Sequence, residues 1–286
     1  MRTTLTALCL ALAAGTAQAE GTVAWTLDGF TMPESVAADP ASGMLYVSNM
    51  GKDPMAKDGD GYIARITADG KLDKADWVTG LDGPKGMDVV GTRLYVADID
   101  QLVEIDTTTG QVTNRYPAAG AKLLNDVAAA PDGRVFVSDT LDAAIYMLDA
   151  GELSLFVQDA AMLGGANGLL VTGGTLLVAD LGDLSGGFEN IKPGPVVEVD
   201  LVTKAMTLYG ADGPVGMLDG IELDGAGGVL LTDNIQGKLL NLKPGGIATE
   251  VAAVGSGAAD LEVLPEQGLA VIPVTPANQI VAVKID

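Results

Sequence analysis

The sequence predicts an all-β chain folded as a six-bladed β-propeller, and three observations carry that expectation. One phrase of apolar strands and turn residues recurs six times. Its copies start at residues 34, 86, 125, 167, 219 and 260, a spacing of about one four-stranded blade each. The two ends of the chain hold complementary parts of the sixth blade.

Each copy opens on a short polar residue and runs through an apolar strand to a turn. A second apolar strand then closes on Asp or Asn in the first five copies; the sixth has lost that residue. Blade 1 runs from Glu34 to Leu45-Tyr-Val-Ser-Asn49, and blade 2 from Gly86 to Leu94-Tyr-Val-Ala-Asp98. Blade 3 runs from Asn125 to Val135-Phe-Val-Ser-Asp139, and blade 4 from Asn167 to Leu176-Leu-Val-Ala-Asp180. Blade 5 runs from Asp219 to Val229-Leu-Leu-Thr-Asp233, and blade 6 from Asp260 to Leu269-Ala-Val-Ile-Pro273. Third strands are expected near Ile63, Leu102, Ile145, Val197, Leu240 and Val281. Fourth strands are expected near Trp77, Tyr116, Leu155, Leu208 and Val251. Short runs rich in β-branched and aromatic residues, punctuated by Gly, Asp, Asn and Pro, read as strands and tight turns. No stretch after the leader keeps a helical period.

The sixth copy reaches Asp286 with three strands. Val23-Ala-Trp-Thr-Leu27 supplies a fourth, so the N-terminal strand is expected to complete the last blade. Closure of this kind removes sheet edges open to other chains. Two blades carry extra residues after the second strand, Met50 to Gly61 in blade 1 and Leu181 to Gly194 in blade 4.

Residues 1–19 read as a secretory signal peptide. Arg2 gives the positive start, Leu5 to Ala14 the short apolar run, and Ala17-Gln18-Ala19 the small-x-small cleavage site. The run is too short for a bilayer span, and no later segment is long and apolar enough to be one. Residues 20–286 are then one domain, expected to be periplasmic or secreted.

Composition excludes several chemistries. The chain has no histidine, and its one cysteine, Cys9, lies in the leader. Cys–His and Ser–His nucleophile systems are excluded, as is a zinc site of the usual Cys/His kind. Any metal must be held by oxygen, which favours hard cations. A formal charge of −22 repels phosphate backbones and argues against nucleic acid as a partner.

The first residues of the six inner strands line one mouth of the channel. In order they are Glu34, Gly86, Asn125, Asn167, Asp219 and Asp260. Five of the six carry oxygen and three are acids. Crowded carboxylates raise each other's pKa unless a cation lies among them. A divalent ion held by Glu34, Asn167 and Asp219 resolves the conflict; turn and strand-start hydrogen bonds are the alternative. Asp88 and Asp126 follow close behind and are also candidates to face inward. The Asp or Asn that closes each second strand is expected to be structural. Asp58-Gly-Asp-Gly61 lacks the rest of a calcium loop and reads as a surface turn.

Four short motifs carry a family resemblance: Pro33-Glu-Ser35, Leu124-Asn-Asp126, Asn167-Gly168 and Asp219-Gly220. With them the chain resembles the SMP-30/gluconolactonase/LRE-like (regucalcin-type) propellers over essentially all of residues 20–286. The resemblance implies one divalent cation on Glu34, Asn167 and Asp219. Ca²⁺ is expected, with Mg²⁺, Mn²⁺ or Zn²⁺ as alternatives. It implies Asp219 as general base, and Asn125 as a group that binds substrate or water near the metal. Asp126 is grouped with Asn125 as substrate-binding. The activity implied is hydrolysis of a small-molecule lactone or ester; a non-catalytic propeller that binds a small molecule or partner protein is the alternative. The chain departs from the sugar-lactone members at Leu123, where they place an arginine.

Overall fold

The computed structural model describes residues 21–211 and 213–285. The expected leader lies outside them. Among the described residues the chain forms six four-stranded antiparallel sheets, each one blade. The inner strands are Pro33–Ala38, Pro84–Val90, Leu124–Ala129, Ala166–Thr172, Leu218–Leu223 and Glu262–Leu264. Val23–Asp28 forms the outer edge of blade 6 against Gln279–Lys284, with Leu27 opposite Ile280. The six blades and the N-terminal closure are therefore as the repeat predicted.

No single core fills the molecule. Six apolar clusters each lie between two adjacent blades. Between blades 1 and 2, Tyr46 and Trp77 stack with ring centroids 4.4 Å apart and pack toward Met87 and Leu94. Between blades 3 and 4, Phe136 and Phe156 meet edge to face over Leu176 and Val178. Each sheet is covered on both faces, so its central strands read as continuous apolar runs rather than strict alternation. Each fully buried Leu or Ile contributes about 1.5–3 kcal/mol by leaving water.

One local device positions the mouth residues. In blades 1 to 5 the inner strand slips register at its start. Two of its residues there oppose one on the second strand, which is a β-bulge. The bulged pairs are Glu34-Ser35, Lys85-Gly86, Asn125-Asp126, Asn167-Gly168 and Asp219-Gly220. Bulges re-aim side chains, here at the mouth of the channel. The second residue of each pair loses its ladder partner. In three blades the hydroxyl opposite replaces it: Ser35 N–H donates to Ser48, Asp126 N–H to Ser138 and Gly220 N–H to Thr232, each at 2.8 Å.

Glycine at the second bulged position lets the next inner strand come close. A Cβ on Gly86 would lie 2.5 Å from the Cα of Asp126, and one on Gly168 would lie 2.2 Å from the carbonyl oxygen of Asp219. The bulge also corrects the register of blade 2. The residue equivalent to Glu34 and Asn125 there is Lys85, and Gly86 is its partner in the bulge.

The Asp or Asn closing each second strand is structural, as expected. Asn49 accepts from Thr31 N–H at 3.0 Å, and Asp98 from Gly83 N–H at 2.8 Å. Asp139 accepts from Lys122 N–H at 2.7 Å, Asp180 from Gly182 N–H at 2.6 Å, and Asp233 from Gln236 N–H at 3.0 Å. These carboxylates and this amide hold the turns around the inner strands in place.

Candidate functional site

The mouth opens into a cavity of about 540 Å³. Glu34, Lys85, Asn125 and Asp219 line it, each from the first bulged position of its strand, together with Asn234. All four bulge residues are buried. Asn167, also buried, lies close enough to the Asp219 carboxylate to favour its charged form. Asn234 Nδ2 donates to Asp219 Oδ2 at 2.7 Å. The bulges thus bring Glu34, Asn125, Asn167 and Asp219 together at one mouth.

Two acceptors there have no donor. Glu34 Oε2 and Asn125 Oδ1 are buried without a hydrogen-bond partner. Asn125 is oriented by its amide, which donates to Thr140 Oγ1 at 3.0 Å, and Thr140 in turn donates to Ala166 O at 2.7 Å. Its carbonyl is left turned away from that chain. A buried acceptor without a partner is costly, and two lining one cavity ask for a cation or a donor.

The electrostatics agree. Burial, then the Asp219 and Asp260 carboxylates, lift Glu34 well above the usual carboxylate range, against a lowering pull from Lys85. Burial and Asp260 push Asp219 up to about 7, against a lowering pull from Asn234 and Asn167. The charged forms are disfavoured because no counter-charge matches them. Lys85 is the nearest one. Its Nζ donates to Pro54 O at 3.0 Å and Gly83 O at 3.1 Å, and burial holds its pKa below the ordinary lysine value.

Asp126 lies elsewhere. It points down the channel into a smaller chamber of about 70 Å³, lined also by Asp88, Glu222, Asp260 and Glu262. Three of these acids accept a backbone N–H of the next blade. Asp88 accepts from Ala129 N–H at 2.7 Å, Asp126 from Leu169 N–H at 2.6 Å, and Glu262 from Ala38 N–H at 2.7 Å. Asp260 accepts from Ser35 Oγ at 2.6 Å and from Leu261 N–H at 2.7 Å. Burial raises all five, Asp88 to about 6, Asp260 to about 7 and Glu262 to about 8.

Sequence reasoning missed Lys85, although Lys85-Gly86 repeats the polar-then-glycine signal of Asn167-Gly168 and Asp219-Gly220. It also missed Asn234, which follows the closing Asp233 of the second strand. Among the described residues no three acidic, His or Cys side chains form a ready-made metal cage. The mouth set differs from such a cage because half of it is amide. Among the described residues no helix is long and apolar enough to cross a membrane.

No protein-family model matches the chain, and no curated protein matches it in sequence. Solved structures share its fold. A gluconolactonase from Xanthomonas campestris superposes with a TM-score of 0.65 at 18% identity, over 90% of this chain and 87% of that one. A structure described as a candidate gluconolactonase gives 0.66 at 20% identity, over 94% and 92%. A catalytically inactive virginiamycin B lyase from Staphylococcus aureus, solved with quinupristin, gives 0.59 at 13% identity, over 95% and 97%. At these identities the likeness establishes the propeller fold.

Proposed function

We propose that the protein is a divalent-metal-dependent hydrolase that opens a lactone or ester at the mouth of its channel. One observation carries the reading: Glu34 Oε2 and Asn125 Oδ1 are buried, lack donors, and lie beside an Asp219 lifted by burial. These oxygens fit a hard cation, Ca²⁺ first, with Glu34, Asn167 and Asp219 as its holders. When bound, such an ion supplies Lewis-acid polarisation of the scissile carbonyl.

The chain's own groups do the rest. Asp219 takes a proton from the attacking water as it adds to the carbonyl carbon. Asn234, donating to Oδ2, keeps Asp219 oriented. The ring or ester C–O bond then breaks, and the proton passes to the departing alkoxide, leaving a hydroxy acid, or an acid and an alcohol. Asn125, fixed through Thr140, orients the substrate. Two structural neighbours named for gluconolactone hydrolysis support this class of reaction. The lyase neighbour supports it less. It was inactivated by replacing one histidine, and this chain has none.

Lys85 favours a second reading, a binding propeller without turnover, because its ammonium already offers Glu34 a counter-charge. Assay of calcium-loaded protein against lactones and esters separates the two. The hydrolase reading expects turnover that chelation abolishes and calcium restores; binding without turnover across the panel supports the second. We further propose export, with the protein acting in the periplasm or outside the cell. A mature N-terminus at Glu20, found by mass spectrometry of the exported protein, is the expected result.

A further inference from the structure

The floor of the mouth cavity is polar, but its walls are not. The two long insertions supply them. Blades 1 and 4 face each other across a ring of six, so their insertions approach the mouth from opposite sides. From blade 1 come Met50, Pro54 and Met55, and from blade 4 comes Phe188. Leu123 and Pro276 fill in the wall between them.

Phe188 is 61% exposed and Met55 48%, although both lie over the cavity. Large apolar side chains left uncovered around a concave site mark the place where an apolar partner is bound. The two segments carrying them are tied down. Lys85 Nζ holds Pro54 O at 3.0 Å, and Gly59 N–H donates to Asp82 at 3.1 Å. Across the mouth, Asp183 bridges to Lys192, and Asn190 closes a 3-10 turn, Phe188–Asn190, onto Gly186 O at 3.1 Å. A wall held in this way keeps its apolar face open without closing on itself.

A polyhydroxylated ligand finds little on these walls. The two hydroxyls there already donate to backbone, Ser256 to Ile235 O at 3.2 Å and Thr275 to Pro33 O at 2.7 Å. Sugar hydroxyls placed against Met55, Phe188 and Leu123 would lose water and gain no partner.

We infer that the mouth selects a lactone or ester with a polar reacting head and an apolar alkyl or aryl body, clamped between Met55 and Phe188, over a sugar lactone. The inference rests on the hydrolase reading for the word substrate, but the apolar clamp stands on the cavity itself. The floor holds the head near Asp219, and the two insertions hold the body.

Two measurements test it on the full mature protein. The first compares kcat/KM for a medium-chain alkyl δ-lactone and for glucono-δ-lactone. The alkyl substrate is expected to lead by about tenfold or more. Phe188→Ala and Met55→Ala should each cut its kcat/KM about fivefold, chiefly through KM, and spare the sugar lactone. Val202→Ala, an exposed apolar residue remote from the mouth, should change neither. The second measures binding of the matching alkyl lactam, which has the same shape and resists hydrolysis, by calorimetry. Its Kd should weaken about fivefold in Phe188→Ala. Lactam binding with no turnover of either lactone sinks the hydrolase reading and keeps the clamp. Equal or better turnover of the sugar lactone, or lactam binding that is absent or indifferent to Phe188→Ala, overturns the clamp.

Discussion

The channel has two acid-rich regions that differ in one respect. At the mouth, Glu34 and Asn125 present acceptors that nothing satisfies, above a cavity of about 540 Å³. Further along the same strands, Asp88, Asp126 and Glu262 spend an oxygen each on the N–H of the next blade, around a chamber of about 70 Å³. Both regions bury carboxylates and raise their pKa. Asp126 Oδ1 in the chamber also lacks a donor, but only the mouth sets its unpaired oxygens in a cavity with room for a substrate. Acidity alone therefore does not mark a site; the oxygens left unpaired and the room in front of them decide it together. The inner acids are latches between blades, and the mouth set is chemistry held ready.

The sharpest way to break this comparison is to cut both regions. Asp219→Ala at the mouth should lower kcat on the best lactone at least ~1,000-fold while the protein still melts cooperatively, as expected for loss of a general base. Glu262→Ala in the chamber should leave kcat within about twofold. It should cost about 1–3 kcal/mol of stability, because Ala38 N–H loses its acceptor at the junction of blades 6 and 1. A chamber variant that kills turnover without unfolding would merge the two regions.

Next in size is the response to pH. Burial raises Asp88 and Asp180 to about 6 and Glu262 to about 8. A carboxyl with a raised folded pKa binds its proton more tightly folded than unfolded. Its contribution is full below the unfolded value near 4 and is lost as pH rises through the folded value. Chelated protein should therefore melt roughly 5 °C or more lower at pH 8 than at pH 5, by scanning calorimetry. A melting point flat across that range would mean the latches carry no such penalty.

The smallest expected effect concerns Lys85. Its ammonium faces the same oxygens that a cation would use, so Lys85→Met should tighten calcium binding about fivefold, read by calorimetry. Weaker binding would show that the Lys85 tether to Pro54 shapes the mouth more than its charge opposes the ion.

The blades were legible in the sequence because each repeats strand, turn and strand, five of them with a closing Asp or Asn, and because Val23 to Leu27 completes the last one. Glu34, Asn125, Asn167 and Asp219 were legible because they recur at one place in that phrase. Lys85 was not, because the bulge inserts a residue that spacing alone does not register. Matching Gly86 to Asn125 shifted blade 2 by one. The inner chamber was not legible either. Asp126 is the second residue of its bulge, and Asp88 and Glu222 each lie two residues past theirs, but with blade 2 matched one residue late these two acids fall at different places in the phrase and their repeat is hidden. The apolar walls come from the two insertions, which lie outside the repeat altogether.

The strand that closes the ring has a consequence in time. Val23 pairs with Val283, so the first strand to be made waits for nearly the last one. That contact spans almost the whole chain, and loop closure of this length is slow. Five blades can form from neighbours in sequence, while the sixth exposes the edge of Gln279–Lys284 until the N-terminal strand arrives. Ring closure is then the late step of folding, and the interval before it is when the molecule is most open to pairing with another copy. A circular permutant starting near Thr31, between Val23–Asp28 and Pro33–Ala38, and joining the present termini would make every strand pair a local one. It should refold faster with little change in the finished ring.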